Sequence, residues 1–404
     1  MIRSSLARLL RWYWRQERTH RAPRRGAMDH VIIFDGTLST LLPGCETNAG
    51  LTYKLLAGQV RTGRMSVYYE AGVQWPDWRH TMDVIEGRGI NRMIRRAYGV
   101  LATRYRPGDR IFLLGYSRGA YAVRSLAGVI DRVGLLRREH ATQRMIDMAY
   151  RHYQLTPDSA HAVEFAREYC HLNVPIEMVG VWDTVKALGL RFPLLWRLTE
   201  GGHAFHNHAL GPSVLHGFQA LALDERRDAF RPVLWDTPDD HPGRVEQVWF
   251  RGAHGDVGGQ LAGFFEARAL SNIPLTWMLS RAEALGLDLP DGWRGRFKTD
   301  PGAPPSGMNR RWGKLFLLRS KRRPGQDGSE RLHPTAASHV AAAVLPIYRD
   351  PLSVLDGAVA YPRSALKRST LPVKPAPVRK KSHRLRLTAQ ATFSRASSGA
   401  SPKA

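Results

Sequence analysis

The chain has 404 residues, with 60 Lys or Arg against 35 Asp or Glu, so its formal net charge is +25. Hydrophobic residues make up 43% of the chain, which excludes a wholly disordered protein, and no uncharged apolar run reaches the roughly 18 residues that a membrane-spanning helix needs. The two cysteines, Cys45 and Cys170, exclude a disulfide framework and a cysteine-rich zinc site, and such sparse usage is typical of a cytoplasmic protein.

The first 27 residues predict a basic amphipathic extension. On a helical wheel of residues 2–18, four arginines form a stripe opposite four apolar or aromatic residues: Arg8, Arg11, Arg15 and Arg18 against Ile2, Leu6, Leu9 and Tyr13. Helices of this kind lie on anionic membranes, so we expect peripheral contact with such a surface. The arginines also interrupt the apolar region that a secretory signal peptide requires. The alternative is a dispensable extension, because Met28 could itself start the chain just before the first strand.

Four apolar runs further along the chain predict buried parallel strands, at residues 31–34, 111–114, 176–182 and 245–250. Each run ends in a polar turn, and helix-like stretches separate the runs. This alternation predicts an α/β fold in which helices flank a mostly parallel sheet. Because the carboxyl ends of parallel strands meet at one edge of a sheet, we expect the polar turns to gather there.

The distribution of charge divides the chain into a folded part and basic ends. Residues 1–27 carry a net +7, residues 309–331 a net +6 and residues 364–404 a net +10. We therefore expect an α/β-hydrolase-like domain over residues 28–363 with a basic insertion near residues 300–331, followed by a disordered basic tail. The remaining residues are nearly neutral, whereas a nucleic-acid-binding domain carries a basic face, so we do not expect nucleic acid as a partner.

A G-x-S-x-G motif follows the second predicted strand: Gly115-Tyr116-Ser117-Arg118-Gly119. It precedes a helix-like stretch, and a sharp turn from strand to helix would push the Ser117 hydroxyl into the open. Glycines avoid steric clashes in such a turn, and the N-terminus of the helix favours the negative charge that develops beside the serine. The motif therefore predicts that Ser117 is a nucleophile, with an ordinary turn serine as the alternative.

A serine nucleophile needs a general base and an acid that orients the base. Asp183 follows the third predicted strand and His254 follows the fourth, which matches the order serine, acid, histidine of α/β-hydrolases. The alternatives are a helix N-cap for Asp183 and an ordinary loop residue for His254, one of 16 histidines. Asp256 is a second carboxylate near His254, which either caps the following turn or competes with Asp183.

The turn after the first predicted strand contains Asp35, Gly36 and Thr37. It is similar to the end of the haloacid-dehalogenase phosphatase signature, but Ile33 stands where that family places its nucleophilic aspartate, so this alternative loses its nucleophile. In a serine hydrolase the same loop supplies an oxyanion-hole N–H, here from Gly36 or Thr37, which would pair with the N–H of Arg118. Asp35 is a further candidate site residue in this loop.

Seven motifs in one order resemble the bacterial DUF2235 family, typified by the α/β-hydrolase catalytic domain of Tle1-type type VI secretion phospholipase effectors. They are FDGT at 34–37, TN at 47–48, YxPGDxI at 105–111, GYSRGA at 115–120, GVWDTV at 180–185, ALDERR at 222–227 and WFxGxHxDVGG at 249–259. The resemblance implies a catalytic triad, which falls on Ser117, Asp183 and His254. It also implies ester hydrolysis, with phospholipids as the substrates of the effector branch.

Three positions depart from the usual pattern of the family, which has Pro at Arg251, Ser at Gly255 and His at Gln219. None of them belongs to the implied triad. We therefore expect these departures to change the shape of the pocket, and hence the substrate, more than the mechanism.

The expected function is that of a serine hydrolase acting on carboxylic esters, phospholipids or other lipids among them. The alternative is a non-catalytic membrane-associated or nucleic-acid-binding protein on a hydrolase scaffold. We expect no cofactor and no metal, because the histidines at residues 203–208 would need further ligands for a metal site. The apolar segment 188–196 predicts core packing, with a lid over the site as the alternative. The expected location is the cytoplasm, with peripheral membrane attachment through the basic ends.

Overall fold

The computed structural model describes residues 17–21, 26–60, 63–72, 88–185, 210–237, 243–310, 318–337 and 345–349. All of these residues lie in Met1–Gly357, the larger of the two units into which the chain divides by its contacts. Most of residues 1–27 and all of residues 364–404 lie outside the described part of the chain, so the boundaries expected there stay predictions.

Ten strands follow one another within the described residues. They are β1 (Glu17–Arg21), β2 (Asp29–Phe34), β3 (Met65–Glu70), β4 (Arg110–Tyr116), β5 (Leu135–Leu136), β6 (Cys170–His171), β7 (Met178–Trp182), β8 (His216–Ala222), β9 (Arg244–Phe250) and β10 (Glu330–Leu332). Eight of them form one sheet in the order β1-β3-β2-β4-β7-β8-β9-β10. Seven strands of this sheet run parallel, and β1 pairs antiparallel with β3 at one edge. The predicted α/β fold with a mostly parallel sheet is confirmed.

Helices cover both faces of the sheet. Within the described residues they are α1 (Asn48–Ala57), α2 (Arg88–Arg104), α3 (Arg118–Val133), α4 (Gln143–Leu155), α5 (Ala160–Tyr169), α6 (His254–Gly258), α7 (Arg268–Ala284) and α8 (Pro334–Ala337). None of the helices in this part of the chain has both the length and the apolar composition needed to cross a membrane.

Successive residues of the central strands belong to two separate cores. In β2, Ile32 and Phe34 pack with residues of α2, α3 and α4, while Val31 and Ile33 pack with residues of α1 and α7 on the other face. All four side chains are at most 1% exposed. Because both faces of a parallel sheet are covered, its strands consist of unbroken apolar runs, which explains why β2 and β4 were predictable.

The structure differs from the predicted elements in three places. The predicted runs did not include β3, β5, β6, β8 or β10, and β8 contains Gln219, a polar residue whose side chain is buried inside the fold. The strand predicted at 176–182 begins at Met178. The helix predicted over residues 2–18 is wrong for its last two residues, which lie in β1, and residues 1–16 are outside the described part.

The order of the strands brings four polar turns together. β2, β4, β7 and β9 are parallel and end at the same edge of the sheet. The residues that follow them include Asp35, Ser117, Asp183 and His254, which all come from different segments of the sequence. Sheet topology, rather than any local motif, therefore places these side chains within reach of one another.

Candidate active site

The turn between β4 and α3 holds Ser117 in an uncommon backbone conformation. Its φ of 58° and ψ of −121° lie outside the regions that non-glycine residues normally adopt. A Cβ atom on Gly119 would lie 2.4 Å from the Phe34 carbonyl oxygen, and one on Gly115 would lie 2.8 Å from Ala120 Cα. Without a side chain at Gly115 the chain can turn this sharply, and without one at Gly119 the start of α3 can approach β2 this closely.

Ser117, His254 and Asp183 form one hydrogen-bonded chain. His254 Nε2 lies 2.9 Å from Ser117 Oγ, and His254 Nδ1 lies 2.6 Å from Asp183 Oδ2. Asp183 is 0% exposed and His254 is 3% exposed. In this arrangement the serine hydroxyl donates to Nε2, and the Nδ1–H donates to the carboxylate. This is the geometry that a serine needs in order to lose its proton to a neighbouring base.

The imidazole of His254 is held between two aromatic rings. Its centroid lies 4.9 Å from that of Tyr116 at an interplanar angle of 29°, and 4.8 Å from that of Phe230. His254 is also the first residue of α6, so its backbone is fixed by the short helix that follows β9. Together these contacts restrict rotation of the ring and keep Nε2 directed at the serine.

Asp256 caps the first turn of α6. Its Oδ2 accepts the Ala253 N–H at 2.8 Å, and its Oδ1 accepts the Ser306 N–H at 2.7 Å. The sequence suggested a cap of the turn at residues 257–259 or competition with Asp183, whereas the N–H groups bound here belong to Ala253 and Ser306. The hydrogen-bond partner of His254 Nδ1 is Asp183 instead.

Asp183 has a second charged partner that the sequence did not suggest. Arg322 donates from Nη1 to Oδ1 at 2.5 Å and from Nη2 to Oδ2 at 2.8 Å, and the Ala222 N–H donates to Oδ1 at 2.9 Å. With the bond from His254, the carboxylate accepts four hydrogen bonds. Arg322 lies 139 residues from Asp183 in the chain, in the segment expected to be a basic insertion, so no local pattern pointed to it.

These surroundings fix the ionisation of the pair. Burial by itself would raise the pKa of Asp183, but the charge of Arg322 and the hydrogen bonds from His254 and Arg322 hold this pKa well below its usual value. Burial lowers the pKa of His254, and the hydrogen bond to Asp183 only partly offsets that effect. At neutral pH the carboxylate is therefore ionised and the imidazole is neutral, so Nε2 can accept a proton.

A second ion pair supports the histidine from its backbone side. Glu225 Oε2 accepts the His254 N–H at 3.1 Å and pairs with Arg227 Nη2 at 2.6 Å. The neighbouring Asp224 accepts the Gly252 N–H at 2.7 Å. This acidic segment after β8 therefore holds the turn between β9 and α6, which carries His254.

One family model covers most of the core of this fold. Residues 29–281 match the family described as T6SS, phospholipase effector Tle1-like, catalytic domain. The chain belongs to this family. Ser117, Asp183 and His254 all lie inside the matched part of this Tle1-like chain.

Individual relatives of the Tle1-like chain are more distant. The uncharacterized protein YEL023C of Saccharomyces cerevisiae is 29% identical over 231 residues, which cover 51% of this chain and 32% of that protein. A structure of the Tle1 effector bound to the VgrG spike is 18% identical over 59% of this chain and 52% of its own, with a TM-score of 0.32. The structure of an uncharacterized protein from Pseudomonas aeruginosa is 16% identical, covers 69% of this chain and 52% of its own, and has a TM-score of 0.40. The structure of a propionate-bound esterase from Thermogutta terrifontis is 14% identical, covers 68% of this chain and 91% of its own, and has a TM-score of 0.37.

The loop after β2 in this Tle1-like chain is built around the buried carboxylate of Asp35. Asp35 is 0% exposed and accepts hydrogen bonds from the Gly36 N–H at 2.6 Å and from the Thr47 and Tyr69 hydroxyls at 2.7 Å. Burial raises the pKa of Asp35 from 3.8 to about 6, and these hydrogen bonds limit the rise. The loop lies against the serine, since a Cβ atom on Gly36 would be 3.5 Å from Ser117 Cβ.

These bonds leave Thr37 rather than Gly36 as the free donor of the loop. The Gly36 N–H already donates to Asp35, whereas the Thr37 N–H and hydroxyl have no hydrogen-bond partner among the described residues, and Thr37 Oγ1 is buried. The N–H of Arg118, at the start of α3, likewise finds no acceptor in that part of the chain. Of the three expected oxyanion donors, Thr37 and Arg118 are therefore available.

Arg118, the residue that follows Ser117 in the chain, carries a cation. It is half-buried, and no carboxylate or hydrogen-bond acceptor of the described residues pairs with it. Burial lowers the pKa of Arg118 to about 10, so the guanidinium is charged at neutral pH. A partly desolvated charge of this kind is stabilised when an anion binds beside it.

The departures from the family pattern surround the triad without entering it. Gln219 Oε1 accepts the Thr184 hydroxyl at 2.9 Å, beside Asp183. Arg251 donates to the Pro301 carbonyl at 2.6 Å, which ties down the turn before α6. A side chain on Gly255 would start 2.6 Å from the Gln260 carbonyl oxygen, so serine there would require a different path for the following loop.

Metal ligands are not grouped in the described residues: no cluster of His, Cys, Asp or Glu there could hold a metal ion. The histidines at 203–208 and the apolar segment 188–196 both lie outside the described residues. The expectations for these two segments therefore stay predictions.

Proposed function

We propose that this chain is a serine hydrolase of carboxylic esters in which Ser117 is the nucleophile, His254 the general base and Asp183 the orienting acid. The observation that carries the proposal is the unbroken hydrogen-bonded path from the Ser117 hydroxyl through both ring nitrogens of His254 to Asp183. Membership of a family of phospholipase catalytic domains supports the same class of reaction.

Acylation begins when Ser117 Oγ attacks the ester carbonyl carbon and His254 Nε2 takes the hydroxyl proton. The carbonyl oxygen becomes an oxyanion, which the N–H groups of Thr37 and Arg118 stabilise at the N-terminus of α3. The ionised Asp183 stabilises the imidazolium. His254 then gives its proton to the oxygen of the leaving alcohol, and the acyl group remains on the serine.

Deacylation repeats these steps with water. His254 takes a proton from a water molecule, whose oxygen attacks the acyl carbon under the same oxyanion donors. Collapse of the second tetrahedral intermediate releases the carboxylic acid, and His254 returns its proton to Ser117. The enzyme needs a neutral His254 in both half-reactions, so activity rises with pH as the imidazole deprotonates.

The substrate that this site favours is a lipid ester with an anionic headgroup, as in a phospholipid. The family is named for phospholipase effectors, and Arg118 supplies a suitable charge. Arg118 directly follows the nucleophile in the chain, and in this proposal its guanidinium pairs with the headgroup of a substrate bound at Ser117. A phosphate there would pair with a cation that the described residues leave without a counter-ion.

A labelling experiment with a matched control tests the reaction class. Ser117→Ala should abolish labelling by a fluorophosphonate probe and lower ester hydrolysis by about 10³-fold or more. Ser125→Ala is the control, because Ser125 is also buried on α3 but donates its hydroxyl to the Tyr121 carbonyl. Both variants should keep the thermal unfolding profile of a folded protein. Equal labelling of Ser117→Ala and the wild type would favour the non-catalytic alternative.

A further inference from the structure

The Arg322 side chain fills the space behind the triad. It is 4% exposed, and besides Asp183 it contacts the carbonyl oxygens of Ala222 and Phe230, at 2.7 Å and 2.6 Å. Its Nε is buried and has no hydrogen-bond partner among the described residues. Burying a guanidinium with one nitrogen unsatisfied is a poor way to gain stability alone, which points to a function at Asp183.

We propose that Arg322 is a positioning residue that orients Asp183 and, through it, opposes the protonation of His254. Two parallel N–H···O bonds hold a carboxylate plane in one orientation. Oδ2 then faces His254 Nδ1 and keeps the ring in the tautomer whose Nε2 accepts the Ser117 proton. The catalytic part of this inference rests on the proposed serine-hydrolase mechanism.

The charged groups around His254 occur as two pairs. Asp183 is paired with Arg322 on the ring side, and Glu225 is paired with Arg227 on the backbone side. Each carboxylate would favour the imidazolium, but each is partly neutralised by its arginine. Arg322 Nη2 and His254 Nδ1 share Oδ2, at 2.8 Å and 2.6 Å, so these two nitrogens are at most about 5.4 Å apart.

Two other titratable residues lie near the histidine, one stacked on its ring and one on the same short helix. Tyr116 stacks on the ring, and burial raises its pKa well above 10, so it stays neutral. Asp256 lies on α6 itself, where both of its oxygens accept backbone N–H groups. Neither residue replaces the contribution of Arg322, and removal of that one cation should therefore make His254 easier to protonate.

The segment that carries Arg322 is anchored independently of its side chain. The Asp228 N–H donates to the Leu318 carbonyl at 3.0 Å, and the Ser320 N–H donates to the Arg226 carbonyl at 2.7 Å. The Ser320 hydroxyl also donates to Asp228 at 3.1 Å. Because these bonds remain after substitution, variants of Arg322 should fold with the segment in place.

Histidine titration by NMR tests the inference without relying on turnover. In the full chain, with His254 assigned through His254→Gln, Arg322→Gln should raise the pKa of His254 by about one unit. Arg322→Lys keeps the cation and should raise the pKa of His254 by less than half as much as Arg322→Gln. Arg323→Gln removes a neighbouring exposed cation and is the matched control, with no shift expected.

Kinetics complete the test. The acid limb of kcat/KM should move to higher pH in Arg322→Gln by the same amount. In both Arg322 variants kcat should fall about 10-fold or more, because the pair of hydrogen bonds that orients Asp183 is lost.

An unmoved His254 pKa in Arg322→Gln would overturn the inference, even if activity fell. If the wild type hydrolysed no ester, the proposed function would fail while the NMR result still decided the electrostatic role. If Arg322→Gln did not fold, Arg322→Lys with unchanged kcat would overturn the positioning role.

A separate feature, the apolar rim, consists of residues 37–45 and 259–265. Neither loop contains Asp, Glu, Lys, Arg or His, although the chain as a whole is 24% charged. Leu42 is 51% exposed, Phe265 is 55% exposed and Leu38 is 38% exposed. The first loop leads away from Asp35 and the second follows α6, so both border the proposed site.

The two loops of the apolar rim are joined into one surface. The Gln260 side-chain amide donates to the Thr37 carbonyl at 3.0 Å, and a Cβ atom on Gly44 would lie 3.6 Å from Phe265 Cε1. At the edge of this surface, the exposed Arg310 places its guanidinium 3.8 Å from the centre of the Phe264 ring. Exposed apolar side chains with a cation at their edge match the chemistry of an anionic lipid interface.

We propose that the apolar rim docks on an anionic lipid surface, so that a lipid ester reaches the site directly. Three exposed side chains cannot supply the roughly 800 Å² per partner of a stable protein interface, which argues against a second copy of the chain as the occupant. Partial insertion of a few apolar tips is sufficient for reversible membrane contact. This inference deepens the proposed function, since it assigns the lipid substrate to a membrane surface.

Vesicle binding tests this inference in a background without turnover. In full-chain Ser117→Ala, the double variant Leu42→Ser, Phe265→Ser should bind phosphatidylglycerol–phosphatidylcholine vesicles about 10-fold or more weakly. The matched control is Leu155→Ser, Leu172→Ser, two residues that are 66% and 53% exposed elsewhere on the surface. Binding at ~0.5 M salt separates apolar insertion from attraction by the basic ends. Equal vesicle binding by both double variants would overturn the inference, as would sedimentation showing that the rim variant loses a dimer instead.

Discussion

The substitution Asp35→Asn offers a direct test of the electrostatics around the site. Asp35 is fully buried, and its pKa rises from 3.8 to about 6 because burial disfavours the charged carboxylate. A carboxyl group whose pKa is raised by folding binds protons more tightly in the folded state. Its contribution to stability is therefore fully present below pH 3.8 and is lost as the pH rises through 6.

The size of the effect follows from the pKa difference. Each pKa unit corresponds to about 1.4 kcal/mol, so the full titration of Asp35 changes the free energy of unfolding by about 3 kcal/mol. Asparagine has nearly the same shape and no charge, so Asp35→Asn should lack this term. Relative to the wild type, the variant should gain about 2–3 kcal/mol of stability between pH 4 and pH 8.

Urea unfolding followed by tryptophan fluorescence at a series of pH values measures this difference. Other titrating groups contribute equally to both proteins and cancel when the two free energies of unfolding are subtracted. Asp291→Asn, at an exposed carboxylate, serves as the control. A difference between the wild type and Asp35→Asn that stayed constant from pH 4 to pH 8, or that changed in the opposite direction, would refute the assignment of a buried, destabilised charge to Asp35.

Three further predictions concern the same edge of the sheet. Thr37→Val removes a buried hydroxyl that has no partner among the described residues, so the free energy of unfolding should not fall. A loss of about 10-fold in kcat would show that this hydroxyl contacts the oxyanion. Arg118→Met should lower kcat/KM for an anionic phospholipid more than for an uncharged short-chain ester, and an equal loss on both substrates would contradict the anion-binding role. Gly258→Ala places a Cβ atom 1.8 Å from the Tyr116 ring, so it should lower the free energy of unfolding in urea by about 1–3 kcal/mol. An unchanged midpoint of urea unfolding would contradict the close packing of α6.

The sequence predicted those parts of the molecule that local patterns determine. β2, β4 and β9 are buried on both faces, so their apolar runs were visible in the chain. β8 was not predicted, because Gln219 interrupts its apolar pattern. A buried polar side chain is stable there only through hydrogen bonds to residues distant in the chain, such as Gln247. A pattern search cannot recognise a residue whose partners come from another part of the chain.

The same limit applies to the candidate site. The positions after the strands indicated which residues would meet, but not which hydrogen bonds they would make there. Gly36 and Thr37 looked equivalent as oxyanion donors until Asp35 proved to accept the Gly36 N–H. Asp256 and Asp183 were both plausible partners of His254 until Asp256 proved to cap α6.

Arg322 shows that the net charge of a segment does not reveal which of its basic residues are at the surface. The segment 309–331 contributes +6 to the total of +25, and counting along the chain treats each of its arginines as surface charge. Arg322 is instead buried against Asp183, and Glu330 of the same segment is buried where it accepts the Trp249 indole N–H. Within this segment, then, one of the basic residues lies in a buried ion pair instead of at the surface, and we propose that it acts on catalysis and not on docking. The two roles are separable, because substitution of Arg322 should shift the pH dependence of turnover, whereas substitution of the exposed Arg323 should not.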